Sequence, residues 1–217
     1  MMISGAAVAV GALARSAAGP FVNTVPSREI AVAAPASAPP PPPPLRDGAL
    51  DPRLLRRALA ALDTHSKHIR RRDRIAIVDF AAPSSEERFH FLDIESGKVS
   101  RLLVAHGSGS DPRHTGYLEK FSNVSGSNAS SEGAYVTGDY YVGQHGRSQR
   151  ITGLDPTNDH AMERAIVIHG AWYANADMIG AHGKLGRSQG CFAVGEACLD
   201  DVFDHLGTGR LLYAARA

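Results

Sequence analysis

The 217-residue chain has only two cysteines, few aromatic side chains (6% of residues) and no excess charge of either sign, its formal net charge being +1. A near-neutral balance gives no electrostatic footprint for nucleic acid, and so few aromatics leave little to stack on bases. Cys191 and Cys198 stand seven residues apart. A helix between them would hold them about 10 Å apart at ~1.5 Å rise per residue, beyond disulfide reach, so no disulfide is expected. Two cysteines and ten scattered histidines also lack the paired C-x-x-C or H-E-x-x-H spacing of a zinc site. No metal or other cofactor is therefore expected. The small, apolar stretch Ile3 to Ala14 is too short to cross a bilayer, so no integral membrane segment is expected in the mature protein.

That stretch, with "ARSAAG" after it, is like the hydrophobic region of a secretory signal, although no Lys or Arg precedes Ile3. Residues 1–20 are thus expected to be an export segment. Residues 21–48 are rich in Pro and Ala and include six consecutive prolines, Pro39 to Pro44, which enforce an extended polyproline linker. Stable packing is expected over 49–217, where 43% hydrophobic residues chain-wide suffice for one ordinary core.

Asp51 as N-cap and Pro52 at the first helical position open an amphipathic helix with Leu54, Leu55, Ala58, Leu59, Leu62 and Ile69 on one stripe. From Arg74 the pattern becomes short β-type runs, "IAIVDF", "RFHFLDI" and "VSRLLVAH", with "ESGK" as a hairpin turn. Gly107 to Gly133 reads as a long loop, ordered by Tyr117 and Phe121. "AYVTGDYYVG" reads as a hairpin, "RAIVIHG" as a buried strand, and "EACLDDVFDHL" as a helix ended by Gly207, with Cys198 expected to be a buried apolar filler on its face. With at least five strands against about two helices, the fold is expected to be mainly β.

"GRSQ" occurs twice; the first copy, ending in Arg150, is expected to be a groove or strand-edge segment, and only the second runs into Gly190-Cys191. A thiol attacks as thiolate, and an unperturbed cysteine is only a few per cent ionised at neutral pH. A neighbouring imidazole solves this by taking the proton. His169 closes the apolar run "AIVIHG", where it is as readily a core histidine as a base; its second nitrogen needs an acceptor, for which the Gly170 carbonyl is a candidate. Gly190 removes a side chain beside the thiol, letting a substrate carbonyl approach local backbone N–H groups.

The stretch from "IVIHG" to "GRSQGCFAV" resembles the catalytic signature of the L,D-transpeptidases (YkuD-like fold). "LLVAHGSGS", "FSNVSGSNASSEGAYVTGDYYVGQHGRS" and "GLDPTNDHAMERAIVIHGAWY" are similar, in order, to the murein L,D-transpeptidase catalytic domain. The resemblance implies a mainly β, sandwich or barrel-like catalytic fold with a few short helices, a location in the periplasm or at the cell wall, and peptidoglycan stem peptides as substrate. It implies Cys191 as nucleophile, His169 as base, Gly170 as orienter, and the N–H groups of Gln189, Gly190 and Cys191 as oxyanion hole. Arg187, Ser188, His145, Trp172 and Tyr173 are the implied substrate-binding residues. The general family has His where this chain has Gln189 and Arg where it has Ala193, and the murein subfamily usually has Pro where Phe192 stands. The implied reaction is transfer of the stem acyl group from Cys191 to an amine; transfer to water (an L,D-carboxypeptidase) and a non-catalytic wall-binding module remain open alternatives.

Overall fold

The computed structural model describes residues 50–217; the expected export segment and linker lie outside the described residues. Helix α1 (Pro52–Thr64) begins where the Asp51 carboxylate accepts the Arg53 backbone N–H at 2.6 Å. It ends five residues short of Ile69, where the Thr64 hydroxyl bonds back to the Ala60 carbonyl at 2.8 Å. Ile69 still reaches the core, but from the turn that follows.

Eight strands form one sheet in the order β3-β2-β1-β8-β4-β5-β6-β7. They are β1 (Arg74–Asp79), β2 (Phe89–Asp93), β3 (Val99–Leu102), β4 (Gly133–Gly143), β5 (Gly146–Gly153), β6 (Val167–Gly170), β7 (Phe192–Val194) and β8 (Leu211–Ala215). Alternation along β1 divides two cores: Ile75 and Ile77 pack with α1 residues Leu54, Ala58 and Leu62, while Ala76 and Val78 face the main core. Each fully buried leucine of α1 contributes about 2 kcal/mol of hydrophobic stabilisation.

The main core explains the curvature. Phe89 and Phe91 from one side of the sheet join Ile168, Phe192 and Val194 from the other in a single cluster, so the sheet coils round it. Beyond β3 the chain reaches the far edge: Ala105 N–H donates to the Ala193 carbonyl of β7 at 2.8 Å, which nearly closes a barrel. After the short helix α2 (Asp177–His182), helix α3 (Leu199–Leu206) covers the main core with Leu199, Val202, Phe203 and Leu206 and ends at Gly207, as its sequence predicts.

Three local expectations need correction. "AYVTGDYYVG" is not a hairpin but one long strand, β4, with its register shifted between Thr137 and Tyr140. The Gly138 carbonyl there accepts side-chain bonds from Gln149 and Thr208, which hold the irregularity in place of a turn. The real turn is at Gln144-His145. The first "GRSQ" lies in β5, flanked by β4 and β6, so it is central rather than at a sheet edge. The link between the two free cysteines is a strand and a short 3-10 turn, not a helix, and Cys198 is partly exposed rather than buried.

Candidate active site

The register of β6 against β7 brings His169 and Cys191 together. These strands run parallel, with Ile168 beside Phe192 and His169 beside Ala193. Ile168, Phe192 and Val194 all point into the main core. Strand alternation then puts His169, Ala193 and the preceding Cys191 on the opposite face, with the histidine and the cysteine as diagonal neighbours.

His169 is 2% exposed, and its Nδ1 lies 2.9 Å from the Gly170 carbonyl oxygen. A carbonyl only accepts, so Nδ1 carries the hydrogen and Nε2 keeps its lone pair. Burial pushes the His169 pKa down; the Gly170 carbonyl partly opposes this, and His145 adds to it. The imidazole therefore rests neutral, as a base must before it takes a proton.

Cys191 is 7% exposed, and its thiol donates to the Ala165 carbonyl with sulfur and oxygen 3.7 Å apart. Burial raises the thiol pKa, against the Val167 backbone N–H and the Arg164 charge, both of which favour the thiolate. Both directions favour the neutral forms, a thiol and an uncharged imidazole. Burial, with the Cys191 charge as a smaller cause, pushes the Tyr173 phenol up to about 12, which places this ring within electrostatic reach of the sulfur.

The turn before Cys191 holds Arg187, Ser188 and Gly190 in bonds to the protein itself. The Ser188 hydroxyl donates to the Cys191 carbonyl at 2.7 Å and accepts the Gly190 N–H at 3.1 Å. Ser188 therefore braces the turn's own backbone instead of facing substrate. The same bond occupies the Gly190 N–H, leaving Gln189 and Cys191 as the remaining members of the implied oxyanion set. Arg187 directs Nη1 to the carbonyls of Asp111 and Pro112, so that nitrogen clamps a loop instead of awaiting a carboxylate.

Of the other implied residues, His145 shares a groove with the thiol. His145, exposed at the tip of the β4–β5 hairpin, stacks on His169 with ring centroids 4.3 Å apart and an interplanar angle of 16°. Trp172 is 66% exposed and meets Tyr173 edge to face. A groove of about 360 Å³ opens on Cys191, its walls including Asn128, His145, Glu163, Arg164 and Gln189.

With this geometry in place, comparison with known proteins decides the family. The sequence model of the L,D-transpeptidase catalytic domain matches residues 46–215. The chain belongs to that family. No curated protein matches it. Solved L,D-transpeptidase structures that match include one from Mycobacterium smegmatis, 12% identical with a TM-score of 0.41, over 66% of this chain and 58% of that one. One from Mycobacterium tuberculosis H37Rv is 16% identical with a TM-score of 0.36, over 66% and 58%. The helical cell shape determining protein Pgp2 from Campylobacter jejuni is 16% identical with a TM-score of 0.41, over 66% and 48%. The chain thus spans about half to three-fifths of the length of these proteins, and the assignment rests on the family match.

Two features of this transpeptidase-family site escaped sequence reasoning. Arg164 straps the loop facing the thiol: its guanidinium bonds the Ser122 and Ala129 carbonyls and the Ser131 hydroxyl. The second is a buried trio behind the turn. Arg88 Nη2 lies 2.7 Å from His106 Nδ1, so that nitrogen accepts and Nε2–H faces Asp111 at 3.3 Å. The His106 carbonyl in turn accepts the Ser188 N–H, tying the trio to the Cys191 turn. The one sequence signal was a set of polar residues, "AHGSGSD" and "MERA", beside apolar runs. Among the described residues no group of three or more His, Cys, Asp or Glu is placed to hold a metal ion, and no helix is long and apolar enough to cross a membrane.

Proposed function

We propose that this protein is a peptidoglycan L,D-transpeptidase acting through Cys191. The donor is a tetrapeptide stem. Sγ attacks the carbonyl carbon of its third, diamino-acid residue while His169 Nε2 takes the thiol proton. The N–H groups of Gln189 and Cys191 receive the developing oxyanion. Collapse breaks the bond to D-Ala, whose amine takes the proton from His169, and leaves a thioester. An amine of a second stem then displaces Cys191, forming a 3-3 cross-link. Trp172 and Tyr173 wall the approach. In this reading, residues 49–217 are the catalytic unit, 21–48 a spacer and 1–20 an export segment that brings the enzyme to the wall.

The observation that carries the reading is the Nδ1 bond to Gly170, which leaves a basic Nε2 on the face shared with Cys191. Purified protein incubated with tetrapeptide muropeptides, followed by mass spectrometry, tests it. D-Ala release with new dimers, absent in Cys191→Ala, is the expected result. D-Ala release without dimers would make the protein a carboxypeptidase, and unchanged substrate would remove the enzymatic reading.

A further inference from the structure

Water and an amine differ in what must happen before they attack the thioester. Water already has a lone pair and its second proton leaves afterwards with the acid product, whereas an ammonium has to lose a proton first. Water attacking the thioester supplies one proton to the departing sulfur. An amine acceptor arrives at neutral pH as an ammonium ion and becomes an amide nitrogen with one hydrogen. Two protons must leave it: one returns to Cys191, and the other needs a second destination before the C–N bond can form. His169, with Nδ1 held by Gly170, offers one lone pair and is already the carrier for the sulfur's proton.

We propose that His145 is the second base, taking the first proton from the acceptor ammonium; this inference rests on the transpeptidase reading above. His145 lines the same groove as Cys191 and Gln189, on the Gln144-His145 turn between β4 and β5. The ring is exposed, so it can release the proton to water between turnovers, whereas His169 is buried. The face-to-face stack at 4.3 Å and 16° has a further consequence. Parallel rings cannot hydrogen-bond in plane, so a proton does not pass directly from one to the other, but a cation on one disfavours a cation on the other. His169 is cationic while the D-Ala amine departs, and becomes neutral again when that amine takes its proton. His145 can then accept the acceptor's proton without two adjacent imidazolium ions. Glu163 and Arg164 line the same groove, one charge of each sign.

The test reads how the acyl-enzyme divides once it has formed, a ratio that does not depend on how fast it forms. Tetrapeptide muropeptide as donor and a stem peptide bearing a free side-chain amine as acceptor are supplied together, and dimer and tripeptide are quantified by mass spectrometry. His145→Phe keeps a ring for the stack, and His145→Ala opens space. The expected result is a dimer-to-tripeptide ratio at least tenfold lower in both variants, partly restored in His145→Ala by added imidazole, in line with the ~10²–10⁴ typical of a positioned base. An unchanged ratio in either variant overturns the proposal, as does a drop that imidazole leaves untouched. Failure of the wild type to release D-Ala would instead overturn the transpeptidase reading itself, which separates the two failures.

Discussion

Gly190→Ala is the most direct test of what shapes the Cys191 turn. Gly190 has φ of +113°, and a Cβ there would lie 2.7 Å from the Ala129 carbonyl oxygen and 2.7 Å from Ile166 Cδ1. The isoleucine methyl can swing aside, but the Ala129 carbonyl is held by Arg164 and cannot withdraw without loosening the strap. Backbone strain of about 1–3 kcal/mol combines with a steric displacement of about 1–3 kcal/mol. For a domain of this size, where 1 kcal/mol moves Tm by roughly 2–4 °C, the combined ~2–6 kcal/mol gives a fall of roughly 4–24 °C. Gly126 is the internal control: its φ is +76°, but no atom lies within 4 Å of the site of a Cβ. Gly126→Ala should therefore lose only the conformational part, about 1–2 kcal/mol and a few degrees. Scanning calorimetry on the two variants, with thioester formation followed by intact-protein mass, supplies both readouts. Equal melting temperatures for the two variants would refute the clash argument, and full acylation by Gly190→Ala would show that the turn tolerates reshaping.

Three further outcomes follow from the same geometry. His169→Gln keeps a donor for the Gly170 carbonyl but removes the base, so D-Ala release should fall about 10²–10⁴-fold; a loss under tenfold would mean that another group takes the thiol proton. Because burial raises the Cys191 pKa, iodoacetamide alkylation at this residue, mapped by peptide mass, should still be climbing above the ordinary thiol range. A rate already at its plateau near pH 7 would mean a resting thiolate and contradict the neutral pair. Asp73 accepts two bonds from the buried Arg210 guanidinium, at 2.9 and 2.6 Å, and this holds the Asp73 carboxyl well below the usual range. Since its folded pKa is depressed, the stability it contributes is present above about pH 4 and lost as pH falls through the lowered value. Asp73 is half exposed, so the discounted loss in Asp73→Asn is about 2 kcal/mol in urea unfolding at pH 7, shrinking in acid; a difference that grew in acid would reverse the assignment.

Where sequence reading worked, the signal was local. Asp51-Pro52 announces α1, Gly207 ends α3, and the apolar run into His169-Gly170 is β6, because caps and alternation act over a few residues. It failed at Thr137-Gly138-Asp139, which reads as a turn but is carried through as strand by Gln149 and Thr208, eleven and seventy residues away. The site divides in the same way. His169 and Cys191 are legible as a motif, yet the role of Ser188 is not. A hydroxyl beside a glycine looks free for a ligand in one dimension, and only the folded turn shows it bonded to the Gly190 N–H and the Cys191 carbonyl. Arg164 and the Arg88-His106-Asp111 trio owe their meaning to loop contacts that follow no period at all.

The near-closure of the sheet also bears on when the thiol becomes reactive. Ala105, His106 and Ser108 are joined to Ala193 and Ser188 by three backbone hydrogen bonds that link segments eighty or more residues apart, at the two edges of the coiled sheet. Such pairings carry a loop-closure cost that local contacts do not, as does the still longer-range pairing of β1 with β8. A partly folded chain would hold Cys191 as an ordinary peptide thiol without its imidazole neighbour. In the proposed function, the β6–β7 pairing supplies the imidazole and this closure fixes the turn that carries the thiol, so reactivity would report both.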